Sequence, residues 1–174
     1  MKIKFKITTC LVFVSGILLT FMLGSCRKEE KFPVEPFITF KSIDIYEKNK
    51  FIITIGFTDG DGDLGLANKD TLPPFDTDSK YFYNYFTTFS QKILGVWVPI
   101  TYFNPPYYYR IPDLTPSQRN KNIKGDIKVD FNGGFYTTTS NGISDTFKVD
   151  IYITDRALHE SNTITSPEFT IMRP

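Results

Sequence analysis

Strict alternation is the feature that most limits what this chain can fold into. Phe51, Ile53, Ile55 and Phe57 alternate with Ile52, Thr54 and Gly56. Ile127, Val129 and Phe131 alternate with Lys128 and Asp130, and Phe147, Val149, Ile151 and Ile153 with Lys148, Asp150, Tyr152 and Thr154. Side chains along a strand point to opposite faces in turn, so a period of two gathers the apolar set on one face. Phe37–Tyr46, Tyr81–Ser90, Leu94–Phe103 and Thr163–Ile171 complete a set of about seven predicted strands. Beyond the leading apolar stretch no segment keeps a helical period over three turns. Asp59-Gly60, Pro73-Pro74, Pro105-Pro106, Gly133-Gly134 and Asn141-Gly142 mark turns or loops. The aromatic content of 16% suits pleated, half-buried surfaces. Short strands with no helices between them predict an all-β fold. The expected form is an antiparallel immunoglobulin-like β-sandwich, although a jelly roll or small barrel leaves a similar pattern. There is no internal repeat.

The first residues belong to another class of segment. Lys2, Lys4 and Lys6 precede an apolar stretch, Ile7 to Met22, which ends in Leu23-Gly24-Ser25-Cys26. A basic start, a short apolar middle and small residues are the marks of a secretory signal peptide. Leu-Gly-Ser-Cys resembles the lipobox of bacterial lipoproteins, and the resemblance implies cleavage before Cys26 and acylation of its thiol. An uncleaved anchor is the alternative, because Arg27 and Lys28 follow. The stretch is nevertheless short of the roughly 20 residues a span needs. The expected organisation is a signal peptide over 1–25, a lipid-anchored tether over 26–34 and a single sandwich domain over 35–174. Lys28-Glu29-Glu30 resembles the short signal that takes some Bacteroidetes-type lipoproteins to the cell surface. It implies an outer-membrane lipoprotein tied to the membrane through its lipid, with surface display slightly ahead of the periplasmic face; a plain solvated linker is the alternative reading of these three residues.

Charge and cysteine usage narrow the function. The leader holds three of the 20 basic residues and no acid, so 17 remain against 19 acidic ones, a formal −2. No strong basic field is left, which argues against a nucleic-acid partner. Cys10 leaves with the leader and Cys26 is expected to carry lipid, so no cysteine remains for a disulfide, a nucleophile or a zinc site.

The segment after Phe57 carries the clearest chemistry. In Thr58-Asp59-Gly60-Asp61-Gly62-Asp63-Leu64-Gly65, three carboxylates occupy alternate positions separated by glycines. Glycine lets the backbone curl so that oxygens can converge. Carboxylates held that close repel, which raises their pKa values or demands a cation. Hard oxygen ligands favour Ca²⁺. Asp59, Asp61 and Asp63 fit positions 1, 3 and 5 of an EF-hand and Asp70 fits position 12, but Leu64 stands where glycine is needed and the flanks read as strands. The expectation is therefore a structural calcium loop on a β scaffold. An Asp/Gly turn bonded to its own backbone is the plainer alternative. In an immunoglobulin-like sandwich the loops after the second and sixth strands share one end, so Asp155 should face this loop and could add a ligand. Asp70, Asp76 and Asp78 are weaker candidates.

Three stretches together resemble small uncharacterised Bacteroidetes-type lipoproteins. They are Phe57–Gly65, then Ile111-Pro112-Asp113-Leu114-Thr115-Pro116 leading into Ile123–Ile127, and Ile153-Thr154-Asp155-Arg156-Ala157-Leu158-His159-Glu160-Ser161-Asn162. The last is similar to the Asp-x-Ala-Gly-Asn-x-Ser ending of many bacterial immunoglobulin-like domains, with Leu158 and His159 in place of Gly-Asn. The resemblance implies the lipoprotein class and the sandwich, and no biochemical activity.

Catalytic arrangements find little support. His159 is the only histidine and falls in a predicted polar turn, and no Gly-x-Ser-x-Gly elbow, phosphate loop or dinucleotide fingerprint is present. The expected function is non-enzymatic, in interaction or adhesion. The alternative is a glycan-binding accessory lipoprotein that uses Trp97 with Tyr107, Tyr108 and Tyr109, since flat aromatic rings with polar tips suit sugars or a protein partner. Ordinary packing of aromatic-rich strands competes with that use.

Overall fold

The computed structural model describes residues 30–101, 107–115, 121–132 and 144–172. The signal peptide over 1–25, Cys26, Lys28-Glu29 and the turns at Pro105-Pro106, Gly133-Gly134 and Asn141-Gly142 lie outside the described residues. The chain divides after Glu30, and every element below belongs to Lys31–Pro174.

Among the described residues the regular structure is all strand, apart from one 3₁₀ turn. Strand β1 (Phe37–Glu47) turns tightly into β2 (Lys50–Asp59), and β5 (Ile123–Phe131) pairs with the other side of β2. This antiparallel sheet has the order β1-β2-β5. The second sheet contains β3 (Tyr85–Ile93), β4 (Val96–Pro99), β6 (Ser144–Ile153), β7 (Ile164–Thr165) and β8 (Phe169–Met172). Its order is β4-β3-β6-β7, with β8 also on β6. The chain changes sheet between β2 and β3, again between β4 and β5, and a third time between β5 and β6.

The alternating apolar residues of both sheets meet in one core. Ile38, Phe51, Ile53, Ile55, Phe57, Val129 and Phe131 come from the first sheet, and Phe89, Phe147, Val149, Ile151, Ile153 and Ile171 from the second. Full burial of one such side chain contributes about 1.5–3 kcal/mol. Phe51 binds the two layers together. Its ring stacks on Phe131 at 4.9 Å and meets Phe89 edge-on at 6.2 Å and Phe169 at 5.4 Å.

Three predicted strands differ from the observed ones. Tyr81–Tyr83 is not strand: Lys80–Phe82 forms the 3₁₀ turn, capped by Ser79, whose hydroxyl accepts from Tyr81 N–H. Aromatic residues favour strands only where a pleated neighbour receives them, and none does here. Among the described residues, 94–101, the predicted strand Leu94–Phe103 is strand only over Val96–Pro99, and it begins late because Leu94 (φ +49°) and Gly95 (φ +85°) make a two-residue hairpin turn between paired Ile93 and Val96. Positive φ at both positions is the geometry that matches strand twist. Thr163–Ile171 is broken at Ser166–Glu168. Pro167 cannot donate to a ladder. At the break, Ser166 accepts from Val149 N–H through its hydroxyl (3.0 Å) and donates its own N–H to Val149 O (2.9 Å).

Register places the key loops. Thr58 lies opposite Phe37, Asp59 opposite Ile123, and Tyr85 opposite Ile153. Strands β1, β3 and β5 therefore start, and β2 and β6 end, at one pole. That pole holds the acidic loop.

Candidate metal centre

Asp59 closes β2, so the sheet fixes its backbone, and the loop begins with Gly60. At Gly62 the backbone takes φ +74°, a left-handed conformation that glycine adopts at no steric cost. The curl turns the three acids inward. One carboxylate oxygen from each of Asp59, Asp61 and Asp63 lies within 4.8 Å of the other two. Asp59 is fully buried and the other two are half-buried. In all three residues Oδ1 is buried and has no hydrogen-bond partner among the described residues. A buried, unpaired carboxylate oxygen is costly, and three acids that each carry one and converge in one loop fit a cation site.

The remaining oxygens hold the loop's shape. Asp59 Oδ2 accepts from Leu64 N–H at 3.0 Å, and Asp63 Oδ2 accepts from Ala157 N–H at 3.1 Å, which ties the loop to the turn after β6. Burial is the largest influence on Asp59 and, with the charges of Asp61 and Asp63, pushes its pKa up to about 7. Asp63 rises to about 6, from burial and then from Asp155 and Asp61.

Asp155 is buried at the same pole, close enough to raise Asp63 electrostatically. Both of its oxygens are engaged by His159, however. Oδ1 accepts from the His159 backbone N–H (2.8 Å) and Oδ2 lies 2.8 Å from ring Nδ1. Burial raises the Asp155 pKa, and the hydrogen bond to Asp155 raises that of His159. Asp70 stands outside the triad. Its Oδ2 accepts from Ala67 N–H and pairs with Arg156 at 2.7 Å.

Polar side chains that the sequence does not single out hold the long segment between β2 and β3. Arg110 donates to the carbonyls of Phe82, Ala67 and Asp70, with its guanidinium over the Phe82 ring. Buried Asn84 exchanges hydrogen bonds with the Ile111 backbone through both ends of its amide. Thr115 Oγ1 donates to Gly62 O. Asn122 joins the leading segment to the acidic loop: its Oδ1 accepts from Phe32 N–H (2.8 Å) and its N–H donates to Gly60 O (2.9 Å). A Cβ on Gly60 would lie 2.3 Å from the Phe32 carbonyl oxygen, so only glycine fits there. No short motif announces these contacts. The nearest signal is the cluster of Asn, Arg and Thr flanking Ile111 and Ile123.

The aromatic candidates separate. Tyr107 and Tyr109 pack inward, edge-on to Phe131 at 5.9 and 5.2 Å. Tyr108 packs on the opposite side of the second sheet, edge-on to Phe86 and Tyr83, where Phe86 also stacks on Tyr152. Trp97 shares that outer side with its pair partner Lys92, and the ammonium groups of Lys92 and Lys148 lie 5.4 and 5.0 Å from its ring. No protein-family model, curated protein or solved structure matches the chain.

Proposed function

We propose that this chain is a non-enzymatic, lipid-anchored cell-envelope protein. In this reading an immunoglobulin-like domain carries a structural Ca²⁺ ion and serves interaction or adhesion. The observation that carries it is the set of three buried carboxylate oxygens without partners at the pole where β2 ends. Asp59, Asp61 and Asp63 would hold the ion, which supplies the partner that their three buried Oδ1 atoms lack. With its charge balanced, the loop stays folded against the turn after β6 and keeps the surface around it in one shape. The immunoglobulin-like assignment is supported by strand order. With β1, β2 and β5 as strands A, B and E, and β3, β6 and β7–β8 as C, F and G, the two layers follow the sequence of that fold. The envelope location rests on the Lys-rich leader and Leu23-Gly24-Ser25-Cys26.

Calorimetry with Ca²⁺ on the metal-free protein tests the ion, with saturable heat and a rise in melting temperature expected. At a hundredfold excess over Kd the added stability is about 2.7 kcal/mol. Absence of both effects at millimolar calcium removes the site. Labelling with a palmitate analogue tests the anchor, and the label should disappear in Cys26→Ser. The glycan-binding reading keeps Trp97 and Tyr108 as its platform, because the Tyr107 and Tyr109 rings pack inward. Its test is a glycan array with Trp97→Ala as the comparison.

A further inference from the structure

We infer that the ion at Asp59, Asp61 and Asp63 is open on one side and binds a carboxylate ligand, whose second oxygen is received by Lys121. The inference rests on the calcium reading above and extends it to a ligand class. Ca²⁺ takes 6–8 oxygen ligands. The triad offers three buried free oxygens, and the neighbouring acceptors already take one hydrogen bond each. Asp59 Oδ2 and Asp63 Oδ2 accept backbone N–H groups, Asp155 turns both oxygens to His159, and the carbonyls of Gly60 and Gly62 accept from Asn122 and Thr115. Several coordination positions are left for atoms from outside.

Those positions have somewhere to open. A cleft of about 290 Å³ adjoins the triad, lined by Asp61 and Asp63 together with Asp113, Thr115, Lys121 and Arg156. Asp59 does not line it. The space is enough for several waters, at roughly 30 Å³ each, or for a small ligand group. Its two cations differ in their commitments. Arg156 is balanced by Asp70 at 2.7 Å and Asp113 at 3.6 Å. Lys121 is exposed and makes no ion pair among the described residues. A hard cation with unfilled positions on a cleft that Lys121 also lines suits an anion with two oxygens, one for each. A neutral hydroxyl could also accept from the ammonium, but without the charge on both partners that makes such a contact strong. Charge-assisted contacts of both kinds favour carboxylate.

The test uses the full-length protein in detergent with Tb³⁺ as the probe, its luminescence lifetime read in H₂O and D₂O to count coordinated waters. About two or more waters are expected on the bound ion. Acetate should displace at least one and lengthen the lifetime, while chloride at equal ionic strength should not. Lys121→Ala should weaken acetate binding by about five- to tenfold, and Lys121→Arg should restore it. An aspartyl peptide amide and glucuronate, run in parallel, separate a peptide source from a sugar-acid source, and displacement by either supports the inference. Bound Tb³⁺ with no coordinated water overturns the open face, a lifetime indifferent to acetate overturns the carboxylate ligand, and either result leaves the calcium reading standing. Failure of Tb³⁺ to bind in competition with Ca²⁺ overturns the calcium reading itself.

Discussion

The Asp59 side chain is sealed from solvent, with Oδ2 on the Leu64 amide and Oδ1 unpartnered beside two more acids. Its charge is useful only with a cation present and harmful otherwise, so Asp59→Asn should act in opposite directions in the two states. Without metal at pH 7.5 the variant should be more stable than the parent by about 1–3 kcal/mol, the cost of an unsatisfied buried group. The stabilisation by calcium should be lost. Urea melts with and without calcium measure both. The pH dependence follows from the same groups. Asp59 moves from 3.8 to about 7 and Asp63 from 3.8 to about 6, so the folded form keeps protons that the unfolded chain has released. These two groups therefore make the metal-free protein less stable as pH rises from about 4 to about 7 and add no further change above. The raised pKa of His159 acts with the same sign. Melting temperatures across that range in metal-free buffer should show the decline, and saturating calcium should abolish it. The triad is legible in the sequence because acids at every second position of a glycine-rich loop have few other uses. The commitment of Asp155 is not legible, because it depends on the turn that sets His159 above it.

At the scale of elements, the hairpin between β3 and β4 departs from its local preferences. Leu94 is 99% exposed and holds φ +49°, a left-handed conformation that costs a residue with a Cβ roughly 1–2 kcal/mol. Asparagine tolerates that region, and Asn-Gly is the preferred pair for this turn. Leu94→Asn should stabilise the protein by about 1 kcal/mol, seen as a higher urea midpoint with an unchanged slope. The same residue explains why the turn is read as strand from sequence: Leu-Gly carries one turn signal where Asn-Gly would carry two. Tyr81–Tyr83 misleads for the converse reason. Its aromatic residues suggest a pleated surface, but Phe82 receives the Arg110 guanidinium and Tyr83 meets the Tyr108 ring, contacts from residues far along the chain.

Across the whole molecule the two sheets depend on one another through a few rings. Phe51 contacts aromatic partners from both layers, so Phe51→Ala should cost about 3–5 kcal/mol. Tryptophan fluorescence, which reports on Trp97 in the second sheet, should lose its signal together with circular dichroism in a single transition. The layered β architecture is legible because periodicity survives wherever one face of a strand is buried. What is not legible is how distant polar groups close the pole. Asn162 mimics a strand edge against Ile38, exchanging hydrogen bonds with its N–H (2.8 Å) and carbonyl (3.0 Å) across more than a hundred residues. Asn122 and Gly60 make a similar closure with the leading segment. That junction has a mechanical consequence. The Phe32 and Pro33 carbonyls rest on the bare backbone of Gly60, one position from Asp61. A pull transmitted along the leading segment therefore loads the acidic loop before it reaches either sheet ladder. An ion held by the three carboxylates would therefore set how much traction the domain withstands.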